Sequence, residues 1–267
     1  MVLCLTVVRL KRRISSIMHI CETRKVLYFG PSIGAIGMSL FATLLFVGTM
    51  VLSLWASTRV RQVYGKFSRL PASSGLTGAE TAATILRQEG ISNVEIVEHD
   101  EALGDHYDPA RKRLVLSRDN FRGTSAAALG VAAHECGHVI QHKLAYPPLQ
   151  WRIASVGLTT FASQIVLWLP LLGMFTGFIN TGAALTFVAS AWGILMLFNL
   201  ITLPVEFDAS ARAQLVLKQT GLVRTVEEET AVAKVLQAAA WTYVAAFITS
   251  LGYFLLHLLP LIAGRKE

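Results

Sequence analysis

A mainly α-helical membrane protein, with four transmembrane helices and one mixed α+β segment, is what this sequence predicts. Two observations carry the membrane part. First, Val26–Thr58, Ile153–Val205 and Val235–Gly264 contain no Asp, Glu, Lys or Arg. A spanning helix needs about 20 apolar residues, so the middle run holds two spans and the outer runs one each. Second, the chain is 53% hydrophobic with mean hydropathy +0.52, too apolar for an ordinary soluble domain. A third observation carries the mixed part: helix-capping and turn signals cluster between the first two spans.

In chain order, residues 1–25 form a basic tail with Arg9, Lys11, Arg12, Arg13, Arg24 and Lys25. The basic cluster follows a short apolar run instead of preceding it, which argues against a cleaved signal peptide. The predicted spans are 33–55, 156–175, 178–203 and 241–262. Trp55, Trp168 and Trp241 stand where interfacial anchors belong. Arg59–Phe67 mixes basic and apolar residues and reads as a stretch at the membrane surface or a solvated linker. Within 56–152, Pro71–Gly75 is a loop, and Thr77-x-x-Glu80 is a capping box that opens a helix ending near Gly90. Val94–Glu98 alternates as a strand. His106-Tyr107, a turn at Asp108–Lys112 and Arg113–Ser117 read as a hairpin. Arg113–Ser117 is the expected sheet edge, to which an extended peptide could add as a further strand.

A helix comes next, N-capped at Thr124 or Ser125 and running to about Leu144 before Pro147 and Pro148. It carries His134-Glu135-Cys136-Gly137-His138, the pattern H-E-x-x-H. Residues four apart share one helix face, so His134 and His138 can bind one metal ion through ring nitrogens. Glu135 sits at the rim of that face, where it can take a proton from a metal-activated water. The reaction class is metal-assisted hydrolysis, most naturally of a peptide bond. Gly137 keeps the backbone beside the metal uncrowded. Cys136 lies roughly 200° around the helix from either histidine and is expected to pack, not to ligate. His142 misses the position of a third histidine in the longer motif, which falls at Leu144. It reads as a supporting or surface residue.

A catalytic zinc takes three protein ligands and leaves one position open. Glu206 is the first charge after the long apolar run, on the same membrane face as the motif. Its own setting allows two readings: a metal ligand, or a carboxylate favoured by a helix N-terminus. Pro204 suits the first turn of a new or kinked helix over 204–238.

The formal net charge is +7, with Lys and Arg near the span ends. That suits a lipid bilayer with anionic headgroups and not nucleic acid. Three cysteines without framework spacing imply no disulfides. The spans hold almost no ionisable group beyond His257, so a zinc transporter is poorly supported. A zinc-binding scaffold without turnover is the main rival to an enzyme; it would keep the ligands and have no need of Glu135.

Taken together, Ser74–Glu80, Asp105–Pro109, Leu114–Ser117, Gly130–Glu135 through His142, and Leu203–Ser210 resemble the YugP-type neutral zinc metallopeptidases, bacterial integral membrane proteins. The resemblance runs from about Leu54 to the C-terminus; residues 1–25 look like an addition. It implies a zincin-like catalytic segment and a zinc-dependent metalloendopeptidase acting on peptide or protein substrates. It also implies a gluzincin-like site with one Zn2+ held by His134, His138 and Glu206. Glu135 would be the general base. An oxyanion donor besides zinc is needed, with Tyr107, His106 and Arg212 as candidates in that order. The HtpX and CAAX-prenyl membrane peptidases look like more distant relatives. In them an aspartate four residues after the ligand glutamate steadies a zinc histidine. Here that position is Ser210, while Asp208 lies two residues after Glu206. Either Asp208 steadies a histidine with altered geometry or that bond is missing. A bacterial plasma membrane is the expected location. Charge bias between the two faces is near balance, and setting residues 1–25 aside tips it toward a cytoplasmic active site.

Overall fold

A computed structural model describes residues 33–100, 104–176 and 182–263. The basic tail, the predicted start of the third span at Phe178 and the last four residues lie outside them. The chain divides into two units, 1–43 and 44–267. The first contributes, among the described residues, only the opening turns of the first helix. The sheet and the remaining helices belong to the second.

Seven helices and three strands are described, in the order α1 (Ile33–Phe67), α2 (Gly78–Gln88), β1 (Glu95–His99), β2 (His106–Asp108), β3 (Arg113–Ser117), α3 (Arg118–Arg122), α4 (Ala126–Lys143), α5 (Pro147–Thr176), α6 (Gly182–Gln219) and α7 (Val226–Ala263). Four of these helices are long and apolar enough to cross a membrane, over Leu40–Phe67, Pro147–Thr176, Gly182–Gln219 and Val226–Ala263. Their large side chains, such as Leu54, Phe161, Leu172, Phe175 and Leu259, point outward and exposed. That is stable only where the surroundings are as apolar as the side chains.

The helices outrun the predicted spans. A 38-residue helix such as α6 or α7 is about 57 Å long, against about 30 Å of hydrocarbon. Two expectations change with this. Pro204 starts no new helix: α6 passes through it, and the segment expected over 204–238 is the end of α6 followed by the start of α7. Arg59–Phe67 is helical and forms no separate linker. It continues α1, and Val63 and Phe67 bury against Ala126, Ala127 and Val235.

The caps read from the sequence are present. Thr77 accepts from the Glu80 N–H, and Glu80 accepts from the Thr77 N–H. Ser125 accepts from the Ala128 N–H and starts α4. Pro147 opens α5, where its missing N–H costs nothing. A second capping box, Thr225-x-x-Glu228, opens α7. The Glu228 carboxylate also accepts from Ser73, tying α7 to the Pro71–Gly75 loop.

The sheet corrects one expectation. Its order is β1-β3-β2, with β1 parallel and β2 antiparallel to β3. Arg113–Ser117 is therefore the central strand, with both edges taken. Leu114 and Leu116 on it are fully buried. Among the described residues the open edges belong to β1 and to the short β2. Asp105, just before β2, accepts from the Ser117 N–H and from Asn120, whose carbonyl accepts from Tyr64 of α1.

α4 forms the centre. Its small residues let neighbouring helices approach on several sides, and 14 of its 18 residues are buried. The tightest approach is to α6. A Cβ placed on Gly137 would stand 2.6 Å from the Ala209 carbonyl oxygen. Gly137 thus makes room for a helix crossing, not only for a metal. Gly137→Ala should force the two backbones apart and cost about 1–3 kcal/mol. The thermal unfolding temperature should fall clearly further than for Gly130→Ala, whose new methyl meets the two Val232 methyls at 3.3 and 3.5 Å and the Val232 Cα at 3.7 Å.

Candidate metal centre

The α4–α6 crossing brings His134 and His138 from one helix to Glu206 from the other. The Glu206 Oε2 atom lies 3.2 Å from His134 Nε2 and 3.6 Å from His138 Nε2. One donor atom from each of the three residues lies within 4.8 Å of the other two. Donors of a tetrahedral zinc at about 2.0–2.1 Å stand about 3.3–3.4 Å apart, so the spacing around Glu206 matches a shared ion. The two imidazoles meet edge to face, with centroids 4.8 Å apart.

Neighbouring side chains fix what these atoms offer. Gln141 donates its amide to the Val205 carbonyl and to Asp208 Oδ2, each at 2.8 Å. Both partners only accept, so its own carbonyl must face His138 Nδ1, 3.0 Å away. That carbonyl accepts the Nδ1 proton and leaves Nε2, which faces Glu206, to take up a proton or a metal ion. Arg152 donates to Glu206 Oε1 at 2.7 Å and leaves Oε2 for the histidines. The Ser210 hydroxyl meets His134 Nδ1 at 3.2 Å. Two imidazole nitrogens and an oxygen of a carboxylate side chain that is only 2% exposed thus converge on one point. Such a set is held together by positive charge shared between its members, whether protons on the imidazoles or a metal ion, and the donor set fits zinc.

Asp208 and Ser210 divide the steadying role. Ser210 touches His134 directly. Asp208 reaches His138 through Gln141 and is itself held by Arg212, whose Nε donates at 2.6 Å. The histidine that the aspartate supports is the second, and one amide intervenes.

A cavity of about 260 Å³ opens onto the cluster. Glu135, Asp105, His106, Tyr107, Arg152 and Tyr243 help to line it. Burial pushes the Glu135 carboxyl above the usual carboxylate range, while His138 and His134 pull it down. Burial alone would discharge His138, but the Glu206 hydrogen bond and the Glu135 and Glu206 charges raise it above the ordinary imidazole value. Tyr107 is raised by burial and by Asp108, so it keeps its proton.

The expected donors are placed unequally. Tyr107 and His106 line the cavity; Arg212 does not and serves Asp208 instead. The Tyr107 hydroxyl lies 2.8 Å from His142 Nδ1, which gives His142 a supporting place outside the three-residue cluster. Cys136 is buried with Sγ toward the Ala82 carbonyl. Burial and the neighbouring Glu135 hold its thiol well above the usual range, and its sulfur faces away from the three-residue cluster. Sequence reasoning missed Arg152, Gln141 and Tyr243. Gln141 is three residues from His138, a spacing that puts both on one helix face.

Comparison with known proteins agrees. Residues 42–262 match the family described as "Putative neutral zinc metallopeptidase". Over 224 residues the chain is 41% identical to "Putative membrane protease YugP" of Bacillus subtilis (strain 168), covering 84% of this chain and 97% of the relative. No solved structure matches significantly. With the match spanning the helix of His134 and His138 and the helix of Glu206, the chain belongs to the neutral zinc metallopeptidase family of membrane proteins.

Proposed function

We propose that this protein is a membrane-embedded zinc endopeptidase with a gluzincin-like site in a zincin-like segment, cutting chains at the bilayer surface. One observation carries the reading: Glu206 of α6 stands 3.2 and 3.6 Å from the imidazoles of an H-E-x-x-H helix, with Glu135 on the same cavity. A single zinc ion held by His134, His138 and Glu206 would supply Lewis acidity toward water and a scissile carbonyl.

The chain's own residues do the rest. Glu135, with its carboxyl raised by burial, takes the proton of the attacking water and returns it to the leaving amine. Arg152 holds Glu206 in register, and Gln141 does the same for His138. Tyr107 donates to the developing oxyanion. With His142 Nδ1–H as the donor between them, the Tyr107 oxygen accepts and its own proton is free for substrate. An extended substrate pairs along the open edge of β2, whose residues line the cavity. We assign the site to the cytoplasmic face of a bacterial plasma membrane. Arg59, Arg61, Lys66, Arg69 and Arg152 all lie near the ends of the apolar runs on its side.

Glu135→Gln should bind zinc as wild type does while peptide cleavage falls by about 10²–10⁴. Retained cleavage would refute the base. Tyr107→Phe should lower kcat by about 10²–10³ with zinc content unchanged. Arg152→Gln strips Glu206 of its partner and should weaken zinc retention against a chelator by about 10–100-fold.

The pH dependence follows from His138. Its raised imidazole holds a proton that zinc must displace, so protons compete with the metal. Zinc binding should release protons near neutral pH and strengthen as pH rises, and acidification should empty the site. Calorimetry in buffers of different ionisation enthalpy reads the released protons directly.

A further inference from the structure

We propose that the groove between α1 and α7 is a binding site for one anionic phospholipid, whose phosphate is held by Arg59 and Lys234. The groove encloses about 690 Å³, more than the cavity at the histidines. It belongs to a different pair of helices, and none of the residues assigned to peptide hydrolysis lines it. The inference rests on the membrane reading of the four helices and is independent of the peptidase reading.

Four observations converge. The first is position. Arg59 is the first charge after the run that ends at Thr58, and Lys234 is the last before the run that begins at Val235. The two residues that close these runs line one groove. That level is where hydrocarbon gives way to headgroups.

The second is charge. No Asp or Glu lines the groove, and neither cation makes an ion pair among the described residues. Both are exposed. Gln62 and Gln237 add neutral polar groups beside them. Two free cations and two amides suit a phosphodiester better than any cationic or neutral headgroup.

The third is the aromatic pair. Trp55 lies one turn toward the bilayer from Arg59, and Trp241 two turns from Lys234. Their rings meet edge to face at 5.8 Å, and both remain nearly half exposed. Indoles at this depth sit level with the glycerol backbone of a lipid, apolar toward the chains and able to donate outward.

The fourth is the continuation. Val51 and Leu54 extend the groove into the apolar run, more than half exposed, as a track for acyl chains. Headgroup, backbone and chain contacts therefore follow one another in the order in which a phospholipid presents them.

The test uses the full chain, stripped of lipid in a zwitterionic detergent and titrated under native mass spectrometry. The probes are phosphatidylglycerol, phosphatidylcholine and glycerol phosphate. Wild type should retain one phosphatidylglycerol with a preference over phosphatidylcholine of roughly tenfold to thirtyfold, as two basic residues supply at a membrane surface. An R59Q/K234Q variant should bind the two lipids about equally. R61Q/R69Q, which alters cations outside the groove, should keep the preference. W55A/W241A should lose lipid of both kinds. Circular dichroism and the thermal unfolding temperature check that each variant is folded, and R59K/K234R, which keeps both charges, should keep the preference. Equal retention of both lipids by wild type would overturn the proposal. So would equal loss in R61Q/R69Q, which would mean a diffuse basic belt. Binding of glycerol phosphate as strong as that of the lipid would show a free-anion site and overturn it as well.

Discussion

A carboxylate that is 2% exposed at the border of an apolar tract must be compensated, and the arrangement around Glu206 follows from that constraint. An isolated buried carboxylate costs several kcal/mol, so it takes up a proton or gathers positive partners. Here Arg152 takes one oxygen and two imidazoles face the other. Meeting them requires α4 and α6 to cross within the depth of a glycine, and Gly137 provides it. The small residues of α4, the continuity of α6 through Pro204 and the packing of α7 all serve that crossing. The centre is thus built by helix packing, and the sheet forms one wall of the cavity beside it.

Support for the two histidines is asymmetric. His134 leans on a hydroxyl, which can donate or accept. His138 leans on an amide whose orientation is dictated by Val205 and Asp208. The second histidine is therefore locked in one tautomer and the first is not. Asp208, two residues after Glu206, touches neither ring directly. It reaches the second ring through Gln141, and Arg212 holds the aspartate in place.

Much of this was legible in the sequence. Charge-free runs located the spans because hydrocarbon rejects ions regardless of tertiary detail. Thr77-x-x-Glu80 and Ser125 located helix starts because capping is local. H-E-x-x-H located two imidazoles because helical spacing is local too. The features that stayed hidden are non-local. Nothing in Glu95–His99 announces a parallel partner eighteen residues on, so β3 passed for an edge. Helix ends beyond the bilayer were hidden because charge marks where hydrocarbon stops, not where a helix does. Arg152 and Glu206 are the last charge before the longest run and the first after it. Each was visible as a boundary; their contact across 54 residues was not.

That contact has a consequence for biogenesis. The two histidines emerge from the ribosome well before Glu206, and the 53 residues between Arg152 and Glu206 supply most of two apolar helices, α5 and α6. Until these helices are inserted, the histidines have neither the glutamate nor a closed pocket, and two imidazoles alone hold zinc weakly. On the proposed reading, metal loading waits on insertion, and the nascent chain carries no working protease through the cytoplasm. Latency before delivery to the bilayer is then a property of chain order and needs no separate inhibitor.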